Sequence, residues 1–332
     1  MRKRCAIFAA ALLAAGLAVP AAHAEDHVTV AMASGVNQVT SLVAVEKGYF
    51  KQQGLTVTRK PIARGNLAVG AIASGQIEFG EVSDVVFFSA VSKGIPLVAL
   101  GAASRGFTAK MIGRPDHKPV KSLADMKGEH IGIQVGTGVH GVFLRLIEQL
   151  GLKPSDFKIS NIRVVDMPAA MATKPPTFDA VMGWDPMMSR IVQAHDGKEI
   201  ISAAEFQKMA NITYPLLLVA NKNYVAKHKD VVQKFVDGYA MADKYIRAHP
   251  KEALDMYTDI VHKAGAKLPE SIIKTMMFEV PKFGGVNFVK SDWTELPRTR
   301  DFLYKTGKIT SKPDIKAITD PSFGDAAEAK IK

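Results

Sequence analysis

The chain has 332 residues and one cysteine, with 47% apolar and 23% charged residues, a balance ordinary for a globular protein long enough for two domains. That excludes a disordered chain, a collagen, a coiled coil and a disulfide scaffold, and no apolar run after residue 24 approaches the ~20 residues needed to cross a bilayer. The formal charge of +11 comes from 43 Lys and Arg spread along the chain. No run of five or six marks a nucleic-acid arm, so nucleic acid is not an expected partner.

The first 24 residues read as a secretory signal peptide. Arg2, Lys3 and Arg4 form a positive n-region, Ala6 to Val19 an apolar run, and Ala22-His23-Ala24 a small-x-small cleavage site. Cleavage after Ala24 places the mature chain in an extracytoplasmic, periplasmic compartment. It also removes Cys5, so no disulfide, thiolate nucleophile or cysteine metal site is expected.

The mature chain then alternates strands and helices. Val28, Val30 and Met32 predict a strand, followed by the small, polar turn Ser34-Gly35-Val36-Asn37-Gln38 and a short helix ending at Gly48. Leu55 and Val57 predict a second strand, Gly65-Asn66 the start of a helix, and Ile77 to Val82 a third strand. Ser83-Asp84 is a good N-cap pair for a helix over 85–93, and Leu97 to Gly101 is a buried strand. Such βαβ units imply a mostly parallel sheet.

A second series follows Pro115 and Pro119. Ser122-x-x-Asp125 is a capping box, Ile131 to Val135 a strand, Gly136 to Gly141 a loop, and Val142 to Leu150 a helix. Ile162 to Val165, Phe178 to Trp184 and Glu199 to Ser202 predict strands, and Tyr214 to Ala220 a strong apolar one. From Val231 onward four helices separated by Pro250, Pro269 and Pro281 are expected, then a loose or surface-wrapping tail. The expected fold is α/β: two lobes, each a mostly parallel sheet with flanking helices, plus a helical C-terminal portion. The first lobe takes residues 25–116 and the return 214–332, and the second lobe takes 117–213, with crossings near Gly113–Pro119 and Ala210–Tyr214.

The nine histidines include no mature pair at helical spacing, so no helical zinc site is expected. There is no G-x-S-x-G, no P-loop and no S-x-x-K, and no catalytic residue, metal or cofactor is assigned. Gly136-Thr137-Gly138-Val139-His140-Gly141 satisfies G-x-G-x-x-G between a strand and a helix. The acidic residue that dinucleotide binding needs is misplaced: Asp156 precedes the next strand and Asp166 comes late. The loop suits a small anion instead, since a helix N-terminus carries about half a positive charge. Ser34-Gly35-Val36-Asn37, Arg64-Gly65-Asn66 and Ser83-Asp84 are likewise small or polar loops opening helices. In open α/β sheets such loops face the ligand crevice, as does Trp184-Asp185-Pro186. Arg64 and Arg105 are the cations placed nearest it. The candidate ligand-binding residues are thus Ser34, Gly35, Asn37, Arg64, Gly65, Asn66, Ser83, Asp84, Arg105, Gly136, Thr137, Gly138, His140, Trp184 and Asp185.

Val45-Glu46-Lys47-Gly48-Tyr49-Phe50-Lys51 with Gly54-Leu55 resembles a signature of the nitrate/sulfonate/taurine group of periplasmic substrate-binding proteins. Ala73-Ser74-Gly75-Gln76-Ile77-Glu78-Phe79-Gly80, Ser122 to Gly128, and Phe178-Asp179-Ala180 through Trp184-Asp185-Pro186 are similar to further segments of that group, in its order. The resemblance implies a hinged two-lobe protein, expected to be a monomer, that captures a small polar or anionic solute and delivers it to the permease and ATPase of an ABC importer. It implies ligand contacts from the loop after the first strand and from Gly65-Asn66, Ser83-Asp84, Gly136–His140 and Trp184-Asp185. Two other classes stand beside it. One is an enzyme resembling pyrimidine-precursor synthases, whose cysteine cluster has no counterpart here. The other is a sensory module that presents the closed form to a receptor.

Overall fold

Ten strands divide into two five-stranded sheets in the computed structural model, which describes residues 26–33, 35–62 and 64–331. The leader, its cleavage site and Ser34 lie outside the described residues. The first sheet contains β1 (Asp26–Ala31), β2 (Leu55–Lys60), β3 (Phe79–Ser83), β4 (Leu97–Ser104) and β10 (Leu216–Asn221), in the order β2-β1-β3-β10-β4. The second contains β5 (Ala109–Gly113), β6 (His130–Ile133), β7 (Lys158–Asn161), β8 (Ala180–Trp184) and β9 (Lys198–Ile201), in the order β7-β6-β8-β5-β9.

The two sheets repeat one plan. In the first, β1 pairs parallel with β2 and β3, and β10 runs antiparallel between β3 and β4. In the second, β6 pairs parallel with β7 and β8, and β5 runs antiparallel between β8 and β9. Each sheet therefore has four strands in one direction, and the strand that enters from the other lobe opposes them.

Side-chain alternation buries both faces of each sheet. On β10, Leu218 and Ala220 join the core beneath the long helix Lys229–Ala248, while Leu217 and Val219 join Val86, Phe87 and Leu296 on the other face. On β8, Ala180 and Met182 face the core of helix Gly138–Gln149, and Val181 faces Met167 and Ile191.

Three expectations need correction. The first crossing is not at Gly113–Pro119 but at residues 105–108, because β5 belongs to the second sheet. The second lobe thus starts near Ala109, inside the range expected for the first. The segment that suggested a linker instead belongs to the second lobe: Pro115 and Pro119 are exposed on its surface, but a Cβ at Gly113 would lie 2.7 Å from the His117 ring, and His117 Nε2 pairs with Glu129 at 2.9 Å. Second, residues 162–165 are not a strand; β7 lies just before them, and a 3-10 turn spans Val164–Asp166. Third, the C-terminal residues are not a loose tail. Helix Ser322–Lys330 buries Phe323 and Ala327 against the first core, and Glu328 accepts the Val286 N–H at 2.8 Å.

The two crossings run side by side. The N–H of Gly106, at φ +106°, donates to the Thr213 carbonyl at 2.9 Å. Arg105, 7% exposed, is tied to Asp292 and to the carbonyls of Gly285 and Asn287. This is a hinge of two strands held to one scaffold.

Candidate functional site

A cavity of about 110 Å³ opens between the sheets and is lined from both lobes. Its first-lobe lining includes Gly35, Asn37, Gln38, Gly65, Glu81 and Ser83, and its second-lobe lining Thr137, Gly138, Val139 and Trp184. Phe107, Thr108 and Tyr214, from the crossings, complete the wall. The volume is of the order of the ~150 Å³ cavity that admits a benzene-sized guest.

Two long helices start at this cavity. Ser83 caps helix Asp84–Val91, its hydroxyl accepting the Val86 N–H at 3.3 Å. Thr137 caps helix Gly138–Gln149; its hydroxyl accepts the His140 N–H at 3.4 Å and donates to the Gln134 carbonyl at 2.7 Å. The first N–H groups of a helix have no intrahelical acceptor, and Gly138 and Val139 of the second helix line the cavity. The starts meet closely. A Cβ at Gly138 would fall on the Tyr214 hydroxyl and 2.7 Å from Ser83 Cβ, and one at Gly141 would lie 2.7 Å from Val85. Trp184 faces Gly35 across the gap, its ring 3.8 Å from where a Gly35 Cβ would be.

Seven of the sequence-predicted residues thus line the cavity: Gly35, Asn37, Gly65, Ser83, Thr137, Gly138 and Trp184. Asn37 is also bound to the hinge, its amide donating to the Gly106 carbonyl at 3.1 Å and accepting from the Thr108 hydroxyl. The remaining described candidates sit elsewhere. Arg105 is spent on Asp292. Asp185 accepts from the Ser189 N–H and hydroxyl at 2.9 and 2.8 Å and pairs with Lys110 at 3.1 Å, so it stabilises the start of helix Met187–His195 rather than facing a ligand.

Asp84 turns behind its helix start to accept from Thr299 at 2.6 Å. Burial, helped by nearby Glu295, pushes its carboxyl up to about 7. His140 is outside the lining; burial and then Lys308 hold its imidazole down to about 4, so it is neutral. Gly136 is exposed at φ +80° and supplies the turn before the helix. Arg64 and Asn66 open helix Gly65–Ala73 without joining the lining.

Sequence reasoning missed Glu81, Gln38, Tyr214, Phe107 and Thr108. A signal existed for Glu81: it is the lone charge in Phe79-Gly80-Glu81-Val82-Ser83, a strand buried along its whole length. Among the described residues no cluster of His, Cys, Asp or Glu could hold a metal ion, and no helix is long and apolar enough to cross a membrane.

The family model described as NMT1/THI5 like matches residues 13–253, well over half of the chain. The chain belongs to the NMT1/THI5-like family. Family membership fits the duplicated sheets and the inter-lobe cavity. A candidate binding protein of Brucella abortus is 25% identical over 83% of this chain and 85% of its own length. The taurine-binding periplasmic protein of Escherichia coli is also 25% identical, over 93% of this chain and 89% of its own. Among solved structures, the alkanesulfonate-binding protein of Xanthomonas axonopodis pv. citri bound to MOPS superposes with a TM-score of 0.74 at 16% identity, covering 89% of this chain and 98% of that one. This likeness establishes the two-lobe periplasmic-binding-protein fold.

Proposed function

We propose that this protein is an extracytoplasmic solute-binding protein that closes its two lobes on a small polar or anionic solute and delivers it to an ABC importer. The observation that carries this is the cavity at the lobe junction, walled by a capped helix start from each lobe and by Trp184 opposite Gly35. The helix start at Gly138 offers backbone N–H groups and partial positive charge without a mobile side chain. The family relatives include a taurine-binding protein and the fold relatives an alkanesulfonate-binding one, so the solute class is sulfonate- or taurine-like. The protein acts by binding and not by catalysis, as a ligand with higher affinity for the closed form shifts the hinge. Its leader directs export, with cleavage after Ala24, and it works as a monomer with a membrane permease and its ATPase.

A thermal-shift screen of short sulfonates, aminosulfonates, nitrate and carboxylates on the mature protein tests this. A true solute at 100 times its dissociation constant adds about 2.7 kcal/mol, while no stabilisation by any of them would reject the solute class. N-terminal sequencing of the exported protein is expected to begin at Glu25.

A further inference from the structure

Glu81 stands out within the cavity. Only 5% exposed, it has no hydrogen-bond partner on either carboxyl oxygen. An unpaired carboxyl in such a place is costly to fold around. The Ser41 hydroxyl and the Gln38 side chain lie near enough to ease its charge, yet neither completes a hydrogen bond to it. The Ser41 hydroxyl donates to the Gln38 carbonyl at 2.9 Å. Arg59, the charged group facing it from β2, donates to the carbonyls of Met32 and Ala33 at 3.0 and 3.2 Å. Glu81 shares its side of β3 with Phe79, whose ring packs in the core, but Glu81, two residues further along in mid-strand, lines the cavity. Among the described lining residues there is no Lys or Arg, and Glu81 is the one carboxyl; Tyr214 is the other titratable group.

We propose that Glu81 recognises a basic nitrogen on the solute, so that the natural cargo carries an amino group and is not a bare inorganic anion or an unsubstituted alkanesulfonate. This rests on the assignment of the cavity as the solute site. The ammonium would supply donors to both idle oxygens and a charge to balance the carboxylate, a pairing worth more in this desolvated position than at a surface. An acidic group at the far end of the solute would meet the helix start at Gly138. Burial pushes the Glu81 carboxyl up to about 8, with the nearby Ser41 and Gln38 side chains, and then Arg59, partly opposing the rise. Below that pH the empty site holds a proton, and binding an ammonium releases that proton to solvent.

Calorimetry with two matched pairs decides the matter: 2-aminoethanesulfonate against ethanesulfonate, and 3-aminopropanoate against propanoate. Each is titrated at pH 7 into the mature protein in two buffers of different ionisation enthalpy. The amino member of at least one pair is expected to bind 100-fold or more tightly than its partner, with release of close to one proton. Glu81→Gln should reduce that preference below tenfold and abolish proton release. Glu81→Met, which leaves no unpaired polar group, should keep or raise the melting temperature of the empty protein. Tight binding that ignores the amino group, or an amino preference that survives in Glu81→Gln, would overturn this assignment alone. A Met variant that melts well below the parent would also overturn it, by making the carboxyl structural. Failure of all four probes to bind the parent protein would reject the sulfonate- or taurine-like class along with it.

Discussion

Arg145 of the second lobe donates to Glu295 of the first at 2.6 Å, with the two side chains 11% and 2% exposed. Arg145 lies on helix Gly138–Gln149, whose start faces the solute cavity, and Glu295 on helix Lys290–Lys305, which packs with Leu296 and Leu303 into the first-lobe core. The pair therefore spans the lobes on the far side of the helix starts. A second pair, Lys305 with Glu148 at 2.7 Å, joins the same two helices but is exposed and contributes little. The two pairs tie the lobes together in this structure, and if the lobes part to admit solute the buried one must break. Hydrogen bonds to charged groups contribute about 1.5–3 kcal/mol. Glu295→Gln is accordingly expected to weaken solute binding roughly tenfold to a hundredfold and to enlarge the radius of gyration of the empty protein in solution scattering. Unchanged affinity would show that the pair does not report on closure.

Two glycines of one loop separate closure from backbone strain. Gly138 is held against Tyr214 and Ser83, so Gly138→Val is expected to keep the lobes apart and abolish solute binding. Gly136 is at φ +80° with nothing within 4 Å of an added Cβ. Gly136→Ala therefore costs about 1–2 kcal/mol for the left-handed backbone, with binding retained in the folded fraction. Equal binding loss in both would mean that the loop conformation, and not lobe contact, controls the site.

Arg105 moves from a ligand role to a structural one. Its guanidinium pairs with Asp292, which is fully buried and also accepts the Val289 N–H at 2.9 Å. Removing one partner of such a pair costs about 3–5 kcal/mol because the other is left buried and unpaired. Arg105→Ala is expected to lower the melting temperature sharply, while the protein that remains folded binds solute with little loss. A stable variant that cannot bind would return Arg105 to the site.

The contrast between Arg105 and Ser83 marks what was legible in the sequence. Helix starts were visible because capping is local: Ser83 and Thr137 lie next to the chain they cap, and both line the cavity. Side-chain direction was not visible, because it depends on partners far along the chain. Arg105 turns to Asp292, Asp84 to Thr299 and Asp185 to Lys110. The lobe boundary failed for the same reason. Ala109–Gly113 is a short strand that includes Lys110, and that lysine is tolerated because Asp185 and Glu199 flank it across the second sheet. Glu81 went unread because an acidic residue in an apolar strand has no local explanation; its meaning comes from the cavity.

Stability against pH offers a test that needs no ligand. Burial raises Asp84 to about 7 and Glu81 to about 8, whereas His140 is lowered to about 4. In the unfolded chain both carboxyls ionise near pH 4 and the imidazole near 6.5. His140 therefore adds stability as the pH rises from about 4 to about 6.5 and is neutral in both states above that. Between about 6.5 and 8 only the carboxyls matter in this set. There the folded protein holds more protons than the unfolded chain, so stability falls as the pH rises. The melting temperature of the empty protein is expected to decline across this interval and to level off above it. Asp84→Asn should remove the lower part of the decline, near pH 7, and Glu81→Gln the upper part. A profile that stays flat or rises from pH 6.5 to 8, or one that neither variant alters, would show that the two acids ionise freely in the closed lobes.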